Sequence, residues 1–500
     1  MMMTKNLLLL GLAPLFVVVA CGGDDGSTSA ASTNPGTTAL DGGGTSTTPG
    51  DANDPSTADG GTSDPFGNYL RPYAADSPWN MRPVGPVLGT ATIPDSVNGW
   101  RPSISDGVQY STGVFLAAAS DPPVTVVGPL RDKDMEADLP SLVIPHWPAN
   151  VTPATGGDGH ADIVDPDAKI VHSFNGVTHA SDGSWHARDY GWSRLDGRGW
   201  GDPAHYFQGA RATGVPASAG IIRTHEFKGT DTLYWHALSL SLPHNAIKKG
   251  EGSAPTAYVY PATSADALDP STPNSGAIPE GSLLMLPSTF DSATMPTPEL
   301  VRIAETLKTY GAFVTDRNTA TPYAIYVEIG TGYSLGTAAG VDAALATIQH
   351  ALRPLASATS WLDGNGKPTV RQPPIDLQTM RGKWDTPAGT KYGAYQTWEQ
   401  AVVFTKAGET QSSGWNNVRV AWSPFVAGHT YHLVAEASGN GSLRYQVLCN
   451  GSSNKADSGT LKDGQTYDIV WPAGTCTPYL TVTSGDATSR IRARLTDPGN

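Results

Sequence analysis

Nine of the twelve histidines lie between His146 and His244, interleaved with Trp147, Trp185, Trp192, Trp200 and Trp235. Imidazole changes charge near neutral pH, and indole offers a flat apolar wall on which a sugar ring can stack. The combination suits a sugar-binding cleft; it equally suits a tryptophan-rich core with histidines on its surface. The tightest constellation is Gly157-Asp158-Gly159-His160-Ala161-Asp162, which runs into the apolar Ile163 and Val164. Alternation along a strand puts His160 and Asp162 on one side, as a proton-transfer pair or as two metal ligands. The plainer reading is that the aspartates close turns and His160 bonds backbone. A second set is Arg223, His225, Glu226 and His236, with an apolar run ending in these charged residues and a further strand carrying His236. If those strands pair, Glu226 reaches His236 across the ladder, and Arg223 can grip a substrate carboxylate with two parallel N–H bonds. The alternative is an ordinary charged strand end.

These considerations give His160, Asp162, Arg223, Glu226 and His236 as expected catalytic residues, and Asp158, Trp185, Trp192 and Trp235 as expected substrate-binding residues. No metal ligand is assigned. Gly332-Tyr333-Ser334-Leu335-Gly336 matches the nucleophile-elbow pattern, but such a serine needs a series of βαβ units before it, and the chain offers isolated strands and loops. There is no P-loop, dinucleotide fingerprint, H-E-x-x-H, EF-hand loop or paired C-x-x-C, so no cofactor is expected and nucleotide and redox chemistry are disfavoured. The net charge is −14, and the part beyond residue 64 remains acidic, so a phosphate backbone finds no general attraction and nucleic acid is not an expected partner.

The elements that must hold these residues are mainly strands. The expected fold is mainly β: a β-sandwich or jelly-roll-like central domain with a few helices, over residues 65–362, and a C-terminal disulfide-linked β-sandwich over 379–500. A Gly, Pro and polar segment at 363–378 reads as the linker between them. One helix is expected in TPELVRIAETLKTYG, where Leu300, Ile303, Leu307 and Tyr310 recur at helical spacing, Thr297 caps, Pro298 opens and Gly311 stops; a second places Val341, Leu345, Ile348 and Leu352 on one face. GHADIVD, AKIVHSF, LYWHALSLSL, TAYVYPA, SLLMLPS, YGAFVTD and PYAIYVEIG read as strands. Apart from Cys21, only Cys449 and Cys476 occur, and they are expected to form a disulfide.

The N-terminus supplies an address. Lys5 followed by the apolar run Leu7 to Val19 is too short to span a membrane and reads as a signal peptide over 1–20. Val18-Val19-Ala20-Cys21 resembles the bacterial lipobox, which implies cleavage before Cys21 and a lipid on that cysteine; an ordinary secretory signal is the other reading. Residues 21–64 are almost wholly Gly, Ser, Thr, Asp, Asn, Ala and Pro, with Leu40 the one large apolar side chain after the cysteine, and read as a disordered spacer.

Five segments, SPWN at Ser77–Asn80, GDGHADIVD at Gly157–Asp165, GVPASAGIIRTHE at Gly214–Glu226, HAL at His236–Leu238 and LKTYGAFVTD at Leu307–Asp316, together resemble a set found in that order in secreted bacterial proteins of unassigned activity, often linked to β-sandwich modules of carbohydrate-binding type. The resemblance covers about residues 70 to 355 and implies a carbohydrate-directed extracellular role. His225 departs from the pattern, and no role is carried onto it. The expected function is therefore a lipid-anchored enzyme of the cell envelope, facing outside the cytoplasm, that cleaves an extracellular polysaccharide, with membrane contact only through the lipid. Hydrolysis would use Asp162 and Glu226, with Asp158 in reserve. β-Elimination would use Arg223 on a uronate, with His160 or His236 as base. A noncatalytic glycan-binding protein and a metal-dependent hydrolase are the alternatives.

Overall fold

The computed structural model describes residues 65–500 apart from 106, 204, 251–256, 267–268, 334, 336–337, 392–394, 414–424, 451–452, 487 and 499–500. The signal peptide, Cys21, the spacer and Ser334 therefore lie outside the described residues, as does most of NNVRVAWSPF, a β-branched and aromatic run that also reads as a strand. The described residues belong to one compact unit.

The chain is mainly β. A seven-stranded mixed sheet runs in the order Val87–Leu88, Arg353–Ser357, Leu283–Met285, Ala312–Asn318, Leu238–Pro243, Ala324–Tyr326, Ser103–Ser105. It faces an eight-stranded sheet in which Gly113–Leu116, Ala161–Asp165, Ile170–Asn175 and Asp189–Arg194 are successive neighbours. Val114, Val164 and Val171 from the second sheet meet Leu283, Met285 and Phe313 from the first in a shared core. Each such buried side chain contributes roughly 1.5–3 kcal/mol of hydrophobic stabilisation.

Both expected helices form, as Pro298–Thr309 and Val341–Ala351, and cover the outer face of the seven-stranded sheet with Leu300, Ile303, Leu307, Val341, Leu345 and Ile348. Thr297 Oγ1 accepts from Leu300 N at 3.3 Å, and Gly311 adopts φ +77°, so the first helix starts and stops where its capping residues dictate. Two expected strands are corrected. The strand in LYWHALSLSL begins only at Leu238, because Ala237 N donates to Trp79 O at 2.8 Å and the residues before it bend away. TAYVYPA makes only an isolated bridge between Tyr258 and Glu280, its tyrosines being packed as core side chains.

The C-terminal part is a pair of antiparallel sheets, of six and five strands, around Trp384, Tyr395, Tyr445, Leu480 and their neighbours. Cys449 and Cys476 lie directly opposite on the adjacent strands Ser442–Cys449 and Cys476–Thr483 and form the expected disulfide, with Cα atoms 4.0 Å apart. This sandwich is bolted to the preceding sheets. Buried Asp134 accepts from Phe207 N (3.1 Å), Tyr395 Oη (2.9 Å) and Gln400 Nε2 (2.5 Å), while Arg381 Nε donates to Asp134 O at 2.8 Å. Beside them, Trp398 stacks on Trp192 at 4.4 Å.

Candidate active site

Arg223 stands at the point where an extended segment becomes a single helical turn, Thr224–Phe227. The segment is held to the C-terminal end of the strand Ala324–Tyr326: Ile222 N donates to Tyr326 O (3.1 Å) and Glu328 N donates to Ile222 O (2.8 Å). Glu226, third in the turn, reaches back so that Oε2 accepts from Arg223 N at 2.8 Å, which closes the N-terminus of the turn. Arg302 on the first long helix donates to Glu226 O at 3.0 Å and fixes the turn from behind. The carboxylate of Glu226 is thereby brought to His236, with Nε2 3.1 Å from Oε1. The expected contact exists, but a helical turn makes it, where paired strands were expected.

These groups line a cleft of about 230 Å³, together with Arg71, Tyr73, Trp79, Gly220, His225 and Trp235. Gly220 is required at its base: with φ +67°, a Cβ there would lie 2.2 Å from the Trp79 ring. Arg223 is only 4% exposed. Its Nε donates to Glu328 Oε2 at 3.0 Å and its guanidinium carbon lies 4.6 Å from the Tyr69 ring centre, so its plane is fixed.

The two histidines of the cleft are tuned in opposite directions. Burial disfavours the charged form of His236, but the Glu226 carboxylate and its hydrogen bond outweigh burial and hold the imidazole above its ordinary value. Hydrogen bonding requires the same state. His236 Nδ1 lies 2.8 Å from Ala237 O, which can only accept, and Nε2 faces an ionised carboxylate, which can only accept, so both nitrogens carry protons. Burial works against Glu226 too, yet His236 and Arg223 N bring its carboxyl down to about 2. His225 is held below the ordinary imidazole value by burial, with the Arg223 guanidinium adding to it against the pull of Glu226. Its Nε2 donates to Leu70 O at 3.2 Å, which leaves Nδ1 with a lone pair. The sequence places His225 in the second set but gives it no role, because its neutrality depends on neighbours that only the fold supplies.

The single pocket expected to hold both polar stretches is corrected, because His160 and Asp162 do not line this cleft. His160 is 3% exposed, Nδ1 lies 3.1 Å from Phe174 O, and burial, then Arg211, brings its imidazole down to about 3. Asp162 is fully buried; Oδ2 accepts from Ser218 N at 2.7 Å, and burial raises its carboxyl above the ordinary value. Ser218 does line the cleft, so Asp162 supports its wall from behind. Asp158 is half-buried near Arg211 and Asp316, outside the cleft lining, with burial raising its carboxyl.

Of the expected aromatic contacts, Trp235 lines the cleft; Trp185 and Trp192 do not. Trp192 packs between Trp398 and His205 (4.1 Å), and Trp185 packs against His179 (4.2 Å) and Trp147 (4.9 Å). A ring stacked against other rings gains more from that burial than from waiting for a ligand. Among the described residues, no group of three or more His, Cys, Asp or Glu side chains is disposed to hold a metal ion, and no helix is long and apolar enough to cross a membrane.

No family model matches this chain, and no curated protein does. Among solved structures, the chain has a likeness to the Glycosylation Associate Protein (Gap123) complex from Streptococcus agalactiae, at 13% identity and a TM-score of 0.16, covering 21% of this chain and 39% of that one. At that level the likeness carries no argument.

Proposed function

We propose that this chain is an enzyme that cleaves an extracellular polysaccharide, with the Arg223–Glu226–His236 cleft as its reaction centre. The observation that carries the reading is one cleft lined by two histidines of opposed protonation: His225 with a free lone pair, His236 with a proton on each nitrogen. A neutral base and a cationic acid at one opening are what bond cleavage with proton transfer to a leaving oxygen requires. Trp235 supplies an apolar wall for a sugar ring. Glu226 acts as a positioning residue that keeps His236 charged. The disulfide-linked sandwich is read as an accessory glycan-binding module. The lipobox-like Cys21 and its spacer are read as a lipid tether outside the cytoplasm, at the outer membrane, which raises the local concentration of enzyme at a polymeric target.

The test is release of reducing ends from a panel of neutral and acidic polysaccharides by the full-length protein, beside His225→Gln and His236→Gln. Lost turnover with retained binding to an immobilised glycan supports the reading. Binding by the parent without turnover on any member of the panel replaces it with a noncatalytic glycan-binding protein. Cys21→Ser should shift the protein out of the membrane fraction.

A further inference from the structure

We propose that the cleft takes an uncharged, hydroxyl-rich sugar, and that Asp231 and Arg71 are the residues that select it; this deepens the polysaccharide-cleaving reading and rests on it.

The other ionised side chains of the lining are already engaged. Arg223 is paired with Glu328, and Glu226 with His236. Two opposite charges are left over. Asn68 Oδ1 accepts from Leu70 N and from Arg71 N, both at 3.0 Å, and the turn this closes brings Arg71 onto the lining beside the Phe66 ring, 5.8 Å from its centre. Asp231 comes from the stretch between the helical turn Thr224–Phe227 and the strand Leu238–Pro243. Among the described residues, neither the Arg71 guanidinium nor the Asp231 carboxylate makes a hydrogen bond or an ion pair. Both residues are half-buried, yet neither has a polar atom sealed away from solvent without a partner, so these two charged groups are open to what fills the cleft.

Their opposite signs narrow the ligand. A carboxylate offers acceptors only, so it is drawn to Arg71 and repelled by Asp231; an ammonium offers donors only and meets the reverse. A hydroxyl both donates and accepts. A ring carrying several of them donates to Asp231 and to His225 Nδ1 while accepting from Arg71, and it brings no charge of its own into the cleft. Hydrogen bonds with one charged partner are the stronger kind, so the two ions supply orientation as well as affinity. Trp235 adds the apolar wall for the ring face.

The experiment sets the full-length protein against polymers matched in backbone and differing in charge: fully methyl-esterified polygalacturonate beside polygalacturonate, and chitin oligomers beside chitosan oligomers. Arabinoxylan, mannan and mixed-linkage β-glucan are further uncharged members. Reducing ends and the Kd for each are read at low and at high salt. Expected are turnover and the tightest binding on an uncharged member, with a Kd that salt leaves unchanged. Asp231→Ala and Arg71→Ala remove side chains that make no hydrogen bond or ion pair, so each should leave the melting temperature in place. Each should lower kcat/KM and weaken Kd on that member about tenfold. Turnover or binding that favours the charged member of a pair overturns the uncharged-sugar proposal and leaves polysaccharide cleavage standing. Parent-like values in both variants overturn the two residues as its determinants. Binding without reducing ends overturns cleavage while the Kd comparison still decides the class of sugar, and no binding to any member overturns both.

Discussion

His236 donates from Nε2 to Glu226 at 3.1 Å while its Nδ1 donates to Ala237 O at 2.8 Å, so the imidazole is held between two acceptors as a cation. A backbone carbonyl cannot change its role with pH. The carboxylate is therefore the one partner whose loss releases the second proton.

A bell-shaped dependence of kcat/KM on pH follows, with the acidic limb set by His225 below the ordinary imidazole value and the basic limb by His236 above it. In Glu226→Gln, burial is no longer opposed, and the basic limb should move about one unit or more toward acid. A basic limb that stays in place would show that another group limits the rate.

The same pair should mark stability. Glu226, lowered from 4.5 to about 2, contributes stability that is present above about 4.5 and lost as pH falls toward 2. His236 is raised from 6.5, so its share is present below that value and lost as pH rises through the folded value. The difference in urea-unfolding free energy between the parent and Glu226→Gln/His236→Gln should peak between these limits, on the order of 2 kcal/mol.

Gly220→Ala should be among the more damaging single changes. The added Cβ meets the Trp79 ring at 2.2 Å and the backbone sits at φ +67°. A loss of about 2 kcal/mol or more is expected, with altered tryptophan fluorescence, measured by thermal and denaturant unfolding.

Cys449→Ser/Cys476→Ser removes a cross-link between residues 27 apart and should destabilise the sandwich by about 3 kcal/mol. Turnover on short soluble oligosaccharides, measured below the unfolding transition, should be preserved, since the disulfide is not part of the cleft lining.

Asp134→Ala leaves Tyr395 Oη and Gln400 Nε2 facing a void and should cost about 3 kcal/mol. Limited proteolysis should then cut within 363–378 faster than in the parent. An unchanged rate would show that the contact does not hold the two parts together.

Local signals carried much of the fold. Thr297, Pro298 and Gly311 punctuate a helix whose apolar stripe needs no tertiary knowledge to read, and the paired cysteines lie on adjacent short strands. Stretches far apart in the chain converge: Trp79 packs edge-on to Phe313 at 5.3 Å, Ala237 N donates to Trp79 O, Ser239 N donates to Gly220 O, and Ser218 N donates to Asp162 Oδ2. The divide between Asp162 and Glu226 was not legible, because alternation along a strand tells which side a residue faces and not what covers that side. Trp192 misled for the same reason, since its cover, Trp398, lies far along the chain. His225 stands in the second set without a role, because its lone pair depends on Leu70 O, a contact made only after folding.

Asp134 is met by His205 from its own half and by Tyr395 and Gln400 from beyond residue 394, and Trp192 is roofed by Trp398. Severed between them, one half would keep a carboxylate short of two donors and a bare indole, the other a phenol and an amide each short of an acceptor. Such a terminal sandwich is a poor candidate for shuffling between genes as a cassette, and ancestry should show the two halves diverging in step.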